Sequence, residues 1–270
     1  MAAHFNRPDF PMFGFDVYAL AGDGDMMEGV SSEAASLAGH LKLDNLVWIF
    51  DNNRITIEGK TSLAFSEDVA TRFIAYGWNV TRVGDANDLA MLDRAFETFK
   101  KTTGRPTLII VDSHIGYGAP TKQDTHGAHG EPLGEEEIRA TKKFYGWPED
   151  ATFLVPDGVR EQFAAGIGAR GSKLRKEWLA RFEAYKAKYP AEADALYRMQ
   201  HRQLPEGWEQ AIPSFPADAK GLATRDSSAK VTPPLHRMCG KRCGIRCEKR
   251  AKPQKMAAFQ LLAHIAMQLA

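Results

Sequence analysis

Residues 15–53, FDVYALAGDGDMMEGVSSEAASLAGHLKLDNLVWIFDNN, decide the fold. Phe15 to Ala21 is dense in apolar, β-favouring residues and runs into Gly22-Asp23-Gly24, which predicts a strand ending at a turn. From Glu28 to Leu41 the apolar positions Val30, Ala34, Leu37, Ala38 and Leu41 recur at helical spacing, with Ser31, Ser32 and Glu33 near the start. Leu46 to Phe50 is an unbroken apolar run stopped by Asp51, Asn52 and Asn53, the pattern of a parallel strand buried on both faces. Strand, helix, strand in this order brings Asp23 and Asn53 to neighbouring strand ends.

The alternation continues outward. A helix is expected near Asp68 to Tyr76, a strand at Trp78 to Val83, a helix at Asp88 to Lys100 and a strand at Thr107 to Asp112. This pacing predicts an α/β fold, an open parallel sheet flanked by helices. Ligands of such sheets sit outside the carboxyl ends of the strands, where Asp23, Asn53 and His114 all fall. Beyond a loop at 117–132, helical stretches near Glu135 to Tyr145, Val159 to Ala169 and Arg175 to Gln200 give a helical C-terminal extension. Leu204 to Ser228, with Pro205, Pro213 and Pro216, reads as an extended linker.

Asp23 and Asn53 offer a carboxylate and an amide, oxygen donors of the kind a hard cation such as Mg²⁺ takes along with a backbone carbonyl and phosphate oxygens. Gly24 leaves no side chain between backbone and phosphate, and the residues after it open a helix whose first N–H groups favour anions. The plainer alternative is a turn and two helix caps. Glu28 fits either a site role or a helix-start acid favoured by the dipole. His126 and His129, in the Gly-rich loop DTHGAHG, suit contact with an anionic substrate or proton transfer, or are ordinary loop histidines; zinc would need a third ligand, for which only Asp124 is close.

Composition narrows the function. The chain has 270 residues, 44% hydrophobic and 26% charged, with net charge +1, which argues against a dedicated nucleic-acid binder. The balance hides an asymmetry, because residues 232–255 carry eight Lys or Arg against the single acid Glu248, leaving the remainder at −6. Cys239, Cys243 and Cys247 all fall in that tail with His236, without the Cys-x2-Cys pairing of ordinary zinc sites, so the body has no disulfide framework. No stretch approaches the roughly 20 apolar residues of a membrane span, and Met1 to Pro11 lacks a secretory apolar run. The expected compartment is the cytoplasm.

Together these residues resemble a known family. The segment Gly22 to Gly59, with SEDVATRFIAYGWNV, HIGYG and HGAHG downstream, is similar to transketolase, and the spacing of Gly-Asp-Gly to Asn-Asn resembles that of thiamine diphosphate enzymes generally. The resemblance implies a thiamine diphosphate-binding fold. It also implies transfer of a two-carbon ketol unit from a ketose phosphate to an aldose phosphate in the pentose phosphate pathway, with the cofactor as electron sink. By it, Asp23, Asn53 and the carbonyl of Ile55 would coordinate Mg²⁺ or Ca²⁺, and Gly22 and Gly24 would lie along the diphosphate. Glu28 would join an acidic network across the family's homodimer, and His129 would stand beside the thiazolium and the substrate.

The resemblance assigns residues 1–203 to the diphosphate-binding domain and 204–231 to an interdomain-type linker. It stops near Val231, leaving 232–270 as an unrelated basic tail with the composition of a frameshifted or chimeric end. By the resemblance, an N-terminal stretch and the pyrimidine-binding domain of the family are expected to have no counterpart here. The alternative expectation is therefore a non-catalytic fragment that holds metal and diphosphate weakly, with a self-associating or complementing chain as partner.

Overall fold

A computed structural model describes residues 1–217 and 220–240, the side chains of 235–240 excepted. In chain order the elements are α1 (Ala2–Phe5), β1 (Val17–Gly22), α2 (Asp23–Met27), α3 (Gly29–Leu41), β2 (Leu46–Asn52), β3 (Ile55–Thr56), β4 (Gly59–Lys60), α4 (Val69–Ala75), β5 (Asn79–Val83), α5 (Leu89–Lys101), β6 (Thr107–Asp112), α6 (Glu135–Phe144), α7 (Val159–Phe163), α8 (Ala169–Lys188), α9 (Pro190–Gln200) and α10 (Thr224–Gly240). Contacts divide the chain into a unit spanning Phe15–Leu154 and another that joins Met1–Gly14 to the described residues from Val155 onward.

In the first unit, β6 is buried along all but its last residue, and every pairing of the order β1-β2-β6-β5 is parallel. Side chains of successive strand residues point to opposite faces, so Leu108 and Ile110 enter one apolar cluster while Ile109 and Val111 enter another. The first cluster adds Ala35 and Ala38 of α3 with Val69 and Phe73 of α4; the second adds Ala95 and Phe99 of α5. Helices thus cover both faces, and all strands deliver their carboxyl ends to one edge.

Trp78, expected to open a strand, precedes β5 and lies across the first cluster. Its Nε1 donates to the Ala35 carbonyl at 2.8 Å, and its ring meets Trp48 and Phe73 edge-on. The turn expected at Gly22-Asp23-Gly24 is tighter than a turn, because β1 runs to Gly22 and α2 begins at Asp23 with no residue between. Asp25 Oδ2 accepts the Gly22 N–H at 2.7 Å and closes that junction. Glu28, read as the start of a helix, is the extended N-cap residue between α2 and α3.

Among the described residues no strand pairs with the outer edge of β1. Val17, Tyr18 and Leu20 are 41%, 49% and 82% exposed, and an exposed apolar edge strand is a template for association. Leu20→Lys is expected to lower self-association, read as a shift toward smaller species in sedimentation velocity; an unchanged distribution would place the contact elsewhere.

In the second unit Phe5, Met12, Phe182, Tyr185, Ala193 and Leu196 form a separate core, and Tyr185 donates its hydroxyl to the Phe5 carbonyl at 2.8 Å. The helix expected from Arg175 to Gln200 is two helices. Pro190 has no N–H to continue α8 and instead takes the first position of α9. Helix α10 begins inside the stretch read as linker. The basic, cysteine-containing residues 241–270 lie outside the described residues, as do the side chains of His236 and Cys239. Among the described residues no helix is long and apolar enough to cross a membrane.

Candidate functional site

Asp23 follows the last residue of β1, at the carboxyl edge of the sheet. It is 4% exposed, and among the described residues it is the one buried charged side chain. Its Oδ2 accepts the N–H of Arg54 at 2.8 Å, which joins the end of β1 to the turn after β2. In that turn Asn53 Oδ1 accepts the N–H of Ile55 at 2.9 Å, and Asn53 Nδ2 donates to Asp51 Oδ2 at 3.3 Å. Arg54 holds the left-handed region at φ 65°, which costs a non-glycine residue roughly 1 kcal/mol. Such strain persists only where the surroundings fix it. Asp23, Asn53 and Ile55 are therefore brought together by two hydrogen bonds to consecutive backbone N–H groups.

Burial raises the pKa of Asp23 above the ordinary carboxyl value; the N–H groups of Arg54 and Asn53 oppose the rise, and the nearby Asp51 carboxylate adds to it. A cation at this carboxylate would reverse that balance. The donors are all oxygens, a carboxylate, an amide whose Oδ1 keeps a second lone pair, and a backbone carbonyl, which is the set a hard divalent cation takes. A Cβ built on Gly24 meets no atom within 4 Å, and Gly24 is not in the left-handed region. What a glycine provides there is open backbone, not a special dihedral. The residues present thus fit a divalent cation with a diphosphate. Among the described residues no three His, Cys, Asp or Glu side chains group to hold a metal, and the set above contains only one of those types.

A second network braces the edge. Asp112, at the end of β6, takes Arg82 Nε and Nη2 at 2.7 Å each and Asn52 Nδ2 at 2.6 Å. Burial works against the charge of Asp112, but Arg82 and Asn52 together hold its carboxyl below the usual range. Ser113 Oγ bonds to Asp51, which in turn receives Asn53. A cavity of about 290 Å³ opens here, bounded by Asp23, Asn52, Arg54, Asp68 and Arg82 among others.

Beyond β6 the chain enters the histidine loop. His114 Nδ1 lies 2.9 and 3.0 Å from the two carboxylate oxygens of Asp124, which ties the strand end to the loop. His126 and His129 are exposed, and neither imidazole has a hydrogen-bond partner among the described residues. No bond joins His129 or Glu28 to Asp23, and neither bounds the cavity.

Residues 1–205 match the family model described as "Transketolase, thiamine diphosphate binding domain". The chain belongs to the transketolase family. It is 46% identical over 231 residues to the transketolase of Geobacillus stearothermophilus, covering 86% of this chain and 34% of that one. Transketolase structures from Pichia stipitis, one in complex with sedoheptulose-7-phosphate, superpose with a TM-score of 0.74 at 41% identity over 88% of this chain and 35% of theirs. Transketolase from Leishmania mexicana gives the same TM-score at 37% identity. The chain spans about a third of the length of these relatives.

The transketolase frame explains which site residues a sequence reading picks out. Asp23, Gly24 and Asn53 stand in short polar interruptions between apolar runs, and that punctuation is legible. Sequence reasoning misses Arg54, Arg82 and Asp112, and takes Asp124 only as a carboxylate close to His126 and His129. Asp112 ends the buried run TLIIV and Arg82 sits one residue from the end of β5, so polar residues closing parallel strands were the available signal.

Proposed function

We propose that this chain is the cofactor-anchoring part of a thiamine diphosphate-dependent transketolase, moving a ketol unit between sugar phosphates. The observation that carries the reading is the buried Asp23 carboxylate, bonded to the very turn that holds Asn53 and Ile55. Asp23, Asn53 and the Ile55 carbonyl would hold Mg²⁺ or Ca²⁺, with Gly22 and Gly24 presenting backbone to the diphosphate. The bound cofactor supplies an electron sink for carbon–carbon bond cleavage. His129 would hold or move a proton at the substrate's reacting oxygen, a role suited to an imidazole free of other partners. Glu28, exposed between α2 and α3, would contact a second subunit of a homodimer.

We assign residues 1–203 to this anchoring domain and 204–231 to the connection beyond it. Sugar phosphates as substrates follow from likeness to relatives such as the sedoheptulose-7-phosphate complex, and the cytoplasm is the proposed compartment. The experiment is a ketol-transfer assay with thiamine diphosphate, Mg²⁺ and a chain carrying the remaining two thirds of a transketolase. His129→Ala should lower kcat by about 100-fold while leaving cofactor binding intact, within the usual range for removing a general acid–base group. Absence of turnover with any such complement sinks the proposal.

A further inference from the structure

Glu137 lies in the first turn of α6, three residues past the N-cap Gly134. An acid there ordinarily turns back on the N-cap N–H or rests against the helix dipole. Glu137 does neither with its hydrogen bonds. Its Oε1 accepts the N–H groups of Thr121 at 2.7 Å and Lys122 at 3.0 Å, and its Oε2 accepts Thr121 Oγ1 at 2.9 Å. The Thr121 N–H foremost, with burial opposing, holds its carboxyl below the usual range. Both carboxylate oxygens of a helix residue are committed to a loop.

We propose that Glu137 is a positioning residue for His129, fixing the outer end of the 117–132 loop so that the turns leading to His129 are held in one arrangement. The connection is continuous. With the Thr121 and Lys122 N–H groups fixed, the Lys122 carbonyl accepts from Thr125 N at 3.2 Å and Thr125 Oγ1 at 2.7 Å. The Thr125 carbonyl then accepts Ala128 N at 3.2 Å, and the His126 carbonyl accepts His129 N at 2.9 Å. Packing supports the same arrangement independently. Gly116 sits at φ 62°, and a Cβ there would fall 2.9 Å from Ala128 Cβ, so the residue before His129 rests on bare backbone. At Gly118 a Cβ would fall 2.5 Å from the Phe144 ring. Helix α6 therefore grips the loop at two points, the Glu137 carboxylate and Phe144, and leaves the His129 imidazole free.

The value of this to catalysis rests on the role given to His129 above; the loop geometry does not. The test is backbone amide exchange and histidine NMR on the full chain, comparing wild type, Glu137→Ala and Glu137→Gln. In Glu137→Ala, exchange should rise about tenfold or more at Thr121, Lys122, Ala128 and His129, the scale of losing charge-assisted hydrogen bonds, while α6 beyond its first turn stays protected. The His129 ring resonance should broaden. Glu137→Gln should restore most of both signals, since its amide oxygen can accept the two N–H groups and its NH₂ can donate to Thr121 Oγ1. Wild-type protection at Ala128 and His129 in Glu137→Ala would overturn the proposal, and so would exchange that rises equally throughout α6. A failed cofactor titration on wild type would remove the functional reading while leaving this loop result standing.

Discussion

Asp23→Ala is expected to weaken Mg²⁺-dependent binding of thiamine diphosphate by about 100-fold or more, since removing one member of a buried charge pair costs roughly 2–5 kcal/mol and each 1.4 kcal/mol is tenfold. The same carboxylate should be a liability when no cation is present. Its pKa is raised by burial, so between the unfolded value of about 3.9 and the raised folded value the native state keeps the proton that the unfolded state has lost. Stability contributed by this group is thus present at low pH and lost as pH rises through that window. Asp23→Asn keeps an acceptor for the Arg54 N–H and should flatten the loss, giving a protein more stable than wild type at neutral pH without cation. Adding Mg²⁺ should reverse the order. Urea titrations with chelator and with Mg²⁺ read both effects, and an Asn variant less stable than wild type in chelator would contradict the account.

The second large effect lies far from the cation. Replacing glycine by alanine inside a helix ordinarily stabilises, by about 1 kcal/mol. Gly39→Ala in α3 should do the opposite, because its Cβ would stand 1.9 Å from the Tyr76 carbonyl oxygen and 3.5 Å from Trp78 Cδ1. The first obstacle is backbone, so α3 must move away from the segment closing α4 and disturb the Trp78 to Ala35 hydrogen bond. A loss of about 3 kcal/mol or more is expected, at the upper end for overpacking. Gly84→Ala, where a Cβ meets nothing within 4 Å, serves as control and should change stability by less than about 0.5 kcal/mol. Equal midpoints for the two variants in urea would show that the close approach at Gly39 is not tight.

The fold was legible where apolar runs and their interruptions coincide. LVWIF followed by Asp51, Asn52 and Asn53 announced a buried parallel strand with a polar end, and the alternation from residue 68 to 112 announced its neighbours. What stayed hidden depends on partners distant in sequence. The Asp112 carboxylate meets Asn52 and Arg82, 60 and 30 residues away, and only the strand order puts them together. Arg54 carries no sign in its residue type that its backbone turns left-handed. Glu137 reads as an ordinary acid of a helix start, and its real contacts lie in the preceding loop. Pro190 was visible, but a proline at the first position of a helix marks a new helix only when the preceding chain has bent.

The most direct measurement is calorimetric titration of thiamine diphosphate into the wild-type chain, with Mg²⁺ and again with chelator. One site per chain is expected, seen with Mg²⁺ and lost with chelator. Equal binding in both conditions would contradict it, because the buried Asp23 and the turn at Asn53 would then have no part in holding the cofactor.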